Sequence, residues 1–181
     1  MKYLIISLTF CILTLSIQAQ KTSKPSKQKT TNGIHWISFE EAQEKMKQNP
    51  KKVFIDIYTD WCGWCKVMDK KTFSNRKVIN YINENFYAIH FDAETADSIF
   101  FKDKKYGRIE KSKVNALAAE LMQNELSYPT TIFFDELFVN PMPLPGYLDV
   151  PTIEMMLTYI ATNQHKTVRF DKFKKSFKSS W

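Results

Sequence analysis

Hydrophobic and polar positions along this chain repeat with periods that change several times, and each change marks an element. Ile34-His35-Trp36-Ile37 predicts a short strand where order begins. Ser38 followed three residues later by Glu41 is a capping box, so a helix is predicted from Phe39 to about Asn49-Pro50, burying Phe39, Ala42 and Met46. Val53 to Tyr58 is apolar apart from Asp56, as expected of a strand covered on both faces. Cys62 to about Asn85 reads as helix, bent around Thr72-Phe73-Ser74-Asn75. Val67, Met68, Val78, Ile79 and Ile82 face its core side. Phe86 to Phe91 predicts another strand. Ile99 to Ile109 alternates aromatic and charged residues, the pattern of an exposed hairpin or irregular insert. A helix is predicted over Val114 to Leu126, with Leu117, Ala118 and Leu121 inside, and a strand over Thr130 to Phe134. Three prolines interrupt Phe138 to Tyr147, which suits an edge strand with turns. Asp149 and Pro151 open a last core helix that buries Ile153, Met156, Leu157 and Ile160. Strands and helices alternate, so the pattern predicts an α/β sheet with helices on both faces.

The two ends stand apart from this pattern. Residues 1–19 carry Lys2, an apolar stretch from Tyr3 to Ile17 and the small residue Ala19, the form of a cleaved secretory signal that leaves Gln20 first. A retained transmembrane anchor is the alternative, although the stretch is short for a span of ~20 residues. Cys11 lies within it, and bulky Phe10 argues against lipid attachment there. Residues 20–33 are rich in Lys, Ser, Thr and Gln, a solvated leader. At the other end, Phe170, Phe173, Phe177 and Trp181 fall on one helical stripe among the lysines of 166–181. Such a basic aromatic extension either lies on a membrane or partner surface, or docks on its own domain.

Charge adds little to the functional picture. The net charge is +7. Lys2, four lysines between 21 and 31 and a net +5 over 166–181 exceed that total, so the remainder sums to −3. A mildly acidic core gives no nucleic-acid footprint.

The candidate chemistry lies just after the Val53–Tyr58 strand, at Trp61-Cys62-Gly63-Trp64-Cys65. If a helix starts at Cys62, the positive helix end stabilises its thiolate. Cys65 is then placed to resolve a mixed disulfide. A structural staple is a weaker reading, because so short a loop gains little from closure. A zinc half-site is weaker too, since His35, His90 and His165 are scattered singly.

The whole pattern resembles the thioredoxin family over roughly residues 34–163. The residues that carry the resemblance are the W-C-G-x-C stretch with Lys66, Asp56 six residues before Cys62, Tyr58 in place of a family aromatic, Tyr128-Pro129-Thr130 and Gly146. Gly63-Trp64 replaces the family's Gly-Pro, and Tyr128 is bulky for its position. An insert over about 92–113 lengthens the path to the next helix. In these respects the chain is more similar to exported bacterial thioredoxin-like proteins, including the C-terminal domain of DsbD-type electron carriers. The resemblance implies a thioredoxin fold with a central mixed sheet over 34–165, with 166–181 as an amphipathic extension.

It also implies a thiol-disulfide oxidoreductase. Cys62 is then an exposed nucleophile, Cys65 a buried resolving thiol and Asp56 its proton acceptor. Tyr128 and a cis Pro129 position an extended substrate, and Trp61 and Trp64 form an apolar rim around it. Lys66 either favours the thiolate or is a solvated surface lysine. No metal or organic cofactor is required. The partners are disulfide-containing exported proteins and a membrane or soluble thiol donor, in a periplasmic setting. Reduction of disulfides is the favoured direction. Isomerase or oxidase duty, or a binding module with little turnover, are the alternatives.

Overall fold

The computed structural model describes residues 32–181; the expected signal over 1–19, Cys11 and most of the expected leader lie outside them. A four-stranded mixed sheet forms the centre. It is built from β1 (Lys52–Tyr58), β2 (Phe86–Asp92), β5 (Thr130–Phe134) and β6 (Met142–Pro145) in the order β2-β1-β5-β6. β1 runs parallel to β2 and antiparallel to β5, so it is central and buried, as its unbroken apolar pattern requires. β6 lies at the edge, where Pro143 and Pro145 cost no ladder bonds.

Alternation along β1 sorts its side chains to two cores. Val53, Ile55 and Ile57 meet α1 (Phe39–Gln48), α4 (Ala116–Leu121) and a small hairpin of β3 (Ile99–Phe101) and β4 (Lys104–Tyr106). Phe54 faces the other way. It packs with Met68 of α2 (Gly63–Lys71), Val78 and Ile82 of α3 (Arg76–Asn85), and Leu157 of α5 (Val150–Ala161). Asp56 and Tyr58 share the Phe54 side, so both belong to the layer beneath α2. The helices start where their caps predict. Ser38 accepts the Glu41 N–H at 3.0 Å, and Asp149 accepts that of Thr152 at 2.9 Å.

Several expectations need correction. Ile34–Ile37 forms no strand, only a bridge between Trp36 and Ala88, because Trp36 turns in to stack on Phe54 and His90. The long helix from Cys62 is two helices. Thr72 ends the first, its hydroxyl donating to the Leu148 carbonyl at 2.7 Å, and Asn75 caps the second. Val67 and Met156 are only half-buried. The Val114–Leu126 helix shrinks to Ala116–Leu121, since Gln123 and Asn124 adopt left-handed backbone. The insert hairpin is not simply exposed, because Phe101 and Tyr106 are buried against the α1 side of the core.

The C-terminal stripe is not one helix. α6 covers Phe170–Ser176, and the backbone is extended at Phe177. Its aromatics dock on this domain: Phe173 is buried beside Tyr159, and Trp181 packs on Tyr81 at 5.2 Å. Buried Glu154 holds the end, accepting from the Ser179 and Ser180 hydroxyls and the Ser180 N–H. No helix among the described residues is long and apolar enough to cross a membrane.

Candidate active site

The chain leaves β1 at Tyr58 and turns directly into α2, the Cys62 N–H donating to the Thr59 carbonyl at 3.0 Å. Cys62 is the N-cap of α2. Its Sγ lies 3.0 Å from the Cys65 N–H, the position in which a serine or aspartate oxygen usually caps a helix. The sulfur therefore meets both a donor and the positive end of the helix, a setting that favours a thiolate once the bond is reduced. Cys62 and Cys65 are joined as a disulfide, with Cα atoms 5.3 Å apart.

The expected exposed nucleophile is not exposed in this state. Cys62 is 4% accessible and Cys65 3%. Closing the ring draws the Cys62 sulfur onto the first turn of α2, and the flanking tryptophans take the surface instead, Trp61 at 65% and Trp64 at 62%. Trp61 meets Tyr128 edge-on at 5.7 Å, and Trp64 leans on Tyr147 at 5.4 Å. An aromatic pair thus stands on either side of the dithiol. Lys66 is exposed.

The Tyr128–Pro129 bond is cis, and the Pro129 carbonyl accepts the Gly146 N–H at 2.8 Å. Gly146 itself has φ +98°, which a side chain would strain. Beside Trp61 opens a cleft of about 390 Å³, lined by Trp61, Glu94, Ser112, Leu126 and Tyr128 among others. Glu94 and Ser112 come from the insert, so the insert supplies a wall next to the dithiol. Burial pushes the Tyr128 phenol up, helped by the charges of Glu94 and Asp92.

Asp56 is 1% exposed and belongs to the side of β1 beneath α2. Burial pushes its carboxyl up. A contact with His90 opposes that, and the charge of Asp69 adds to it. The sheet register explains the grouping: Asp56 pairs with His90 on β2 and with Thr131 on β5, three polar residues in one row across adjacent strands. His90 Nε2 lies 3.2 Å from Asp56 Oδ2 and 3.9 Å from Oδ1 of Asp69 on α2. The 3.2 Å contact is close but not aligned as a directed hydrogen bond. Among the described residues Asp56 Oδ1, His90 Nε2 and Thr131 Oγ1 have no hydrogen-bond partner. His90 is clamped between the rings of Tyr58, at 3.9 Å, and Trp36, at 5.0 Å. Donor atoms of Asp56, Asp69 and His90 all lie within 4.8 Å of one another, so this group has the composition and spacing to hold a metal ion.

The structure therefore brings together Cys62, Cys65, Trp61, Tyr128 and Pro129 around one surface, with Trp64 on its far rim and Asp56 below. Sequence reasoning set His90 aside as one of three scattered histidines and missed Asp69 and the insert wall. Nothing in the spacing of a lone histidine announces its strand register, and Asp69 is marked only by falling one turn after Cys65.

The family model Thioredox_DsbH, described as "Protein of unknown function, DUF255", matches residues 17–142. An uncharacterized protein of Caenorhabditis elegans is 36% identical over 80 residues, which are 44% of this chain and 11% of that protein. The thiol:disulfide interchange protein DsbD of Actinobacillus pleuropneumoniae is 31% identical over 102 residues, 55% of this chain and 14% of that protein. The chain thus spans only a small part of these relatives. A thioredoxin-fold protein from Helicobacter pylori superposes with a TM-score of 0.53 at 17% identity, over 69% of this chain and 78% of that one.

Proposed function

Since the chain belongs to the Thioredox_DsbH family of thioredoxin-like proteins, we propose that it is a thiol-disulfide oxidoreductase that reduces disulfides in exported proteins. One observation carries this reading: the Cys62 sulfur caps α2 and faces the Cys65 N–H at 3.0 Å, so the helix end is aimed at the atom that must carry negative charge.

In the reduced chain the Cys62 thiolate attacks a substrate disulfide. One substrate sulfur leaves as thiolate and the other stays bound to Cys62. Cys65 gives its proton to Asp56, and the resulting thiolate attacks the Cys62 sulfur. The second substrate thiolate leaves and the Cys62–Cys65 disulfide remains. Two electrons pass to the substrate, so a thiol donor must restore the dithiol. The cis turn at Pro129 leaves the backbone of Tyr128 to pair with an extended substrate chain, and the cleft beside Trp61 receives one of its side chains. The secretory pattern of residues 1–19 supports an exported, periplasmic setting, as does the identity with DsbD.

The test is reduction of a disulfide-bonded protein substrate by the reduced chain. Cys62→Ser abolishes turnover, and Cys65→Ser accumulates a mixed disulfide visible on a non-reducing gel. Full activity in the Cys62→Ser/Cys65→Ser double variant sinks the proposal. That same outcome would favour a binding module, a reading supported by the exposed rings of Trp61 and Trp64.

A further inference from the structure

We infer that Asp56, Asp69 and His90 form a binding site for a divalent transition-metal ion of the zinc type, separate from the two cysteines. The site combines one imidazole nitrogen with two carboxylates, a ligand set that zinc accepts in open three-ligand sites. At usual zinc bond lengths, donors around a tetrahedral ion stand about 3.4 Å apart. His90 Nε2 and Asp56 Oδ2 are already 3.2 Å apart, and Asp69 Oδ1 is 3.9 Å from the same nitrogen. Asp69 is half-exposed on α2, so a small side-chain rotation closes the remaining gap and leaves a fourth position open to solvent.

A second observation separates this group from an ordinary surface cluster. Asp56 is almost wholly buried, and its Oδ1, like His90 Nε2, has no hydrogen-bond partner among the described residues. Buried polar atoms are rarely left so; an ion would satisfy His90 Nε2 directly, and Asp56 Oδ1 where the carboxylate binds through both oxygens. The imidazole is also fixed in advance. Tyr58 stacks on one face and Trp36 on the other, and the strand register holds it level with Asp56. Three elements, β1, β2 and α2, each bring one ligand, so the site exists only in the folded chain.

An ion on Asp56 competes with the proton that Asp56 takes from Cys65, so binding is measured on the oxidised chain, where no thiolate competes and Asp56 has no proton to take. Oxidised residues 20–181 are titrated with zinc chloride in a calorimeter, and cobalt(II) is then used as a spectroscopic substitute. The expected result is one zinc per chain with a dissociation constant on the order of micromolar. Asp69→Asn and His90→Gln each weaken it at least tenfold, while Asp171→Asn, on α6, leaves it unchanged. The cobalt form shows d–d absorption without thiolate charge transfer. Because His90 is packed between two rings, circular dichroism checks its variant, and the half-exposed Asp69 gives a second variant less exposed to folding failure. No saturable binding overturns the inference. So does affinity unchanged in either variant, or binding confined to the reduced chain and lost in Cys62→Ser/Cys65→Ser.

Discussion

Asp56 sets an opposition between stability and chemistry at a single residue. Its carboxyl is pushed up by burial, despite the nearby His90. A carboxyl raised in the folded state contributes most below its unfolded value of about 3.9, and that contribution is lost as pH rises through the folded value. Asp56→Asn should therefore stabilise the chain at neutral pH, by about 1–3 kcal/mol, because it removes a poorly satisfied buried charge. Urea unfolding between pH 4 and pH 8, with a chelator present, should show the gain grow as pH rises, and a gain that shrinks would refute this. The same variant loses the proton acceptor. Resolution of the mixed disulfide should slow by about 10²-fold in single-turnover measurements. Sequence made Asp56 visible as the one charge in an apolar strand. His90 stayed hidden because pairing across strands, not spacing along the chain, makes it a neighbour.

Elements follow the same division between local signals and long-range ones. The caps at Ser38 and Asp149 are legible because they are written within four residues. The edge position of β6 is legible from its prolines. The break between α2 and α3 was legible as a bend but not as an end, since Thr72 closes α2 by donating to Leu148, 76 residues away. Thr72→Val keeps the shape and removes that donor, leaving a buried carbonyl unpaired. A loss of about 1–3 kcal/mol in urea unfolding is expected, and a cost near zero would mean that the carbonyl finds another donor. α4 starts only at Ala116 because Asn115 is committed to the insert, its N–H donating to Ala93 and its side chain donating to Asp97 and capping Leu117, and it stops early because Gln123 and Asn124 turn left-handed. The docked stripe was readable as amphipathic, but its receiver, Glu154, was not. An acidic residue on a helix reads as solvated until the tail that covers it is in place. Burial raises the Glu154 carboxyl, but the Ser179 and Ser180 donors outweigh that and hold it below its ordinary value. Its contribution is therefore present above the unfolded value near 4.3 and is lost as pH falls through the folded one. Truncation after Phe177 should cost about 1–2 kcal/mol at neutral pH and less in acid. An equal cost at pH 7 and pH 3 would show that Trp181 packing alone accounts for it.

At the scale of the whole molecule, the direction proposed for electron flow is a question of charge. Strong oxidants of this chemistry stabilise the reduced thiolate heavily. Here the helix end and the Cys65 N–H favour the Cys62 thiolate, but the surroundings do not add to them. Asp56, Asp60, Asp69 and Asp92 all bear electrostatically on Tyr58, which ends the strand leading into the dithiol. The aromatic rim adds no positive charge, and Glu94 lies in the cleft beside it. If these four carboxylates act on the sulfurs as they do on Tyr58, they disfavour a further negative charge there and favour the proposed direction, from dithiol to substrate. Equilibration in glutathione buffers, read by the fluorescence of Trp61 and Trp64, should give a potential near −270 mV, about the reductase range. A value around −120 to −180 mV would mean that the helix end outweighs the carboxylates and that the chain oxidises or isomerises. Replacing Asp60 and Asp69 together by Asn should then move the potential upward, toward the oxidising side. A potential unmoved by losing both charges would show that the field of the acidic cluster does not reach the sulfurs, and would leave the helix end alone to set the direction.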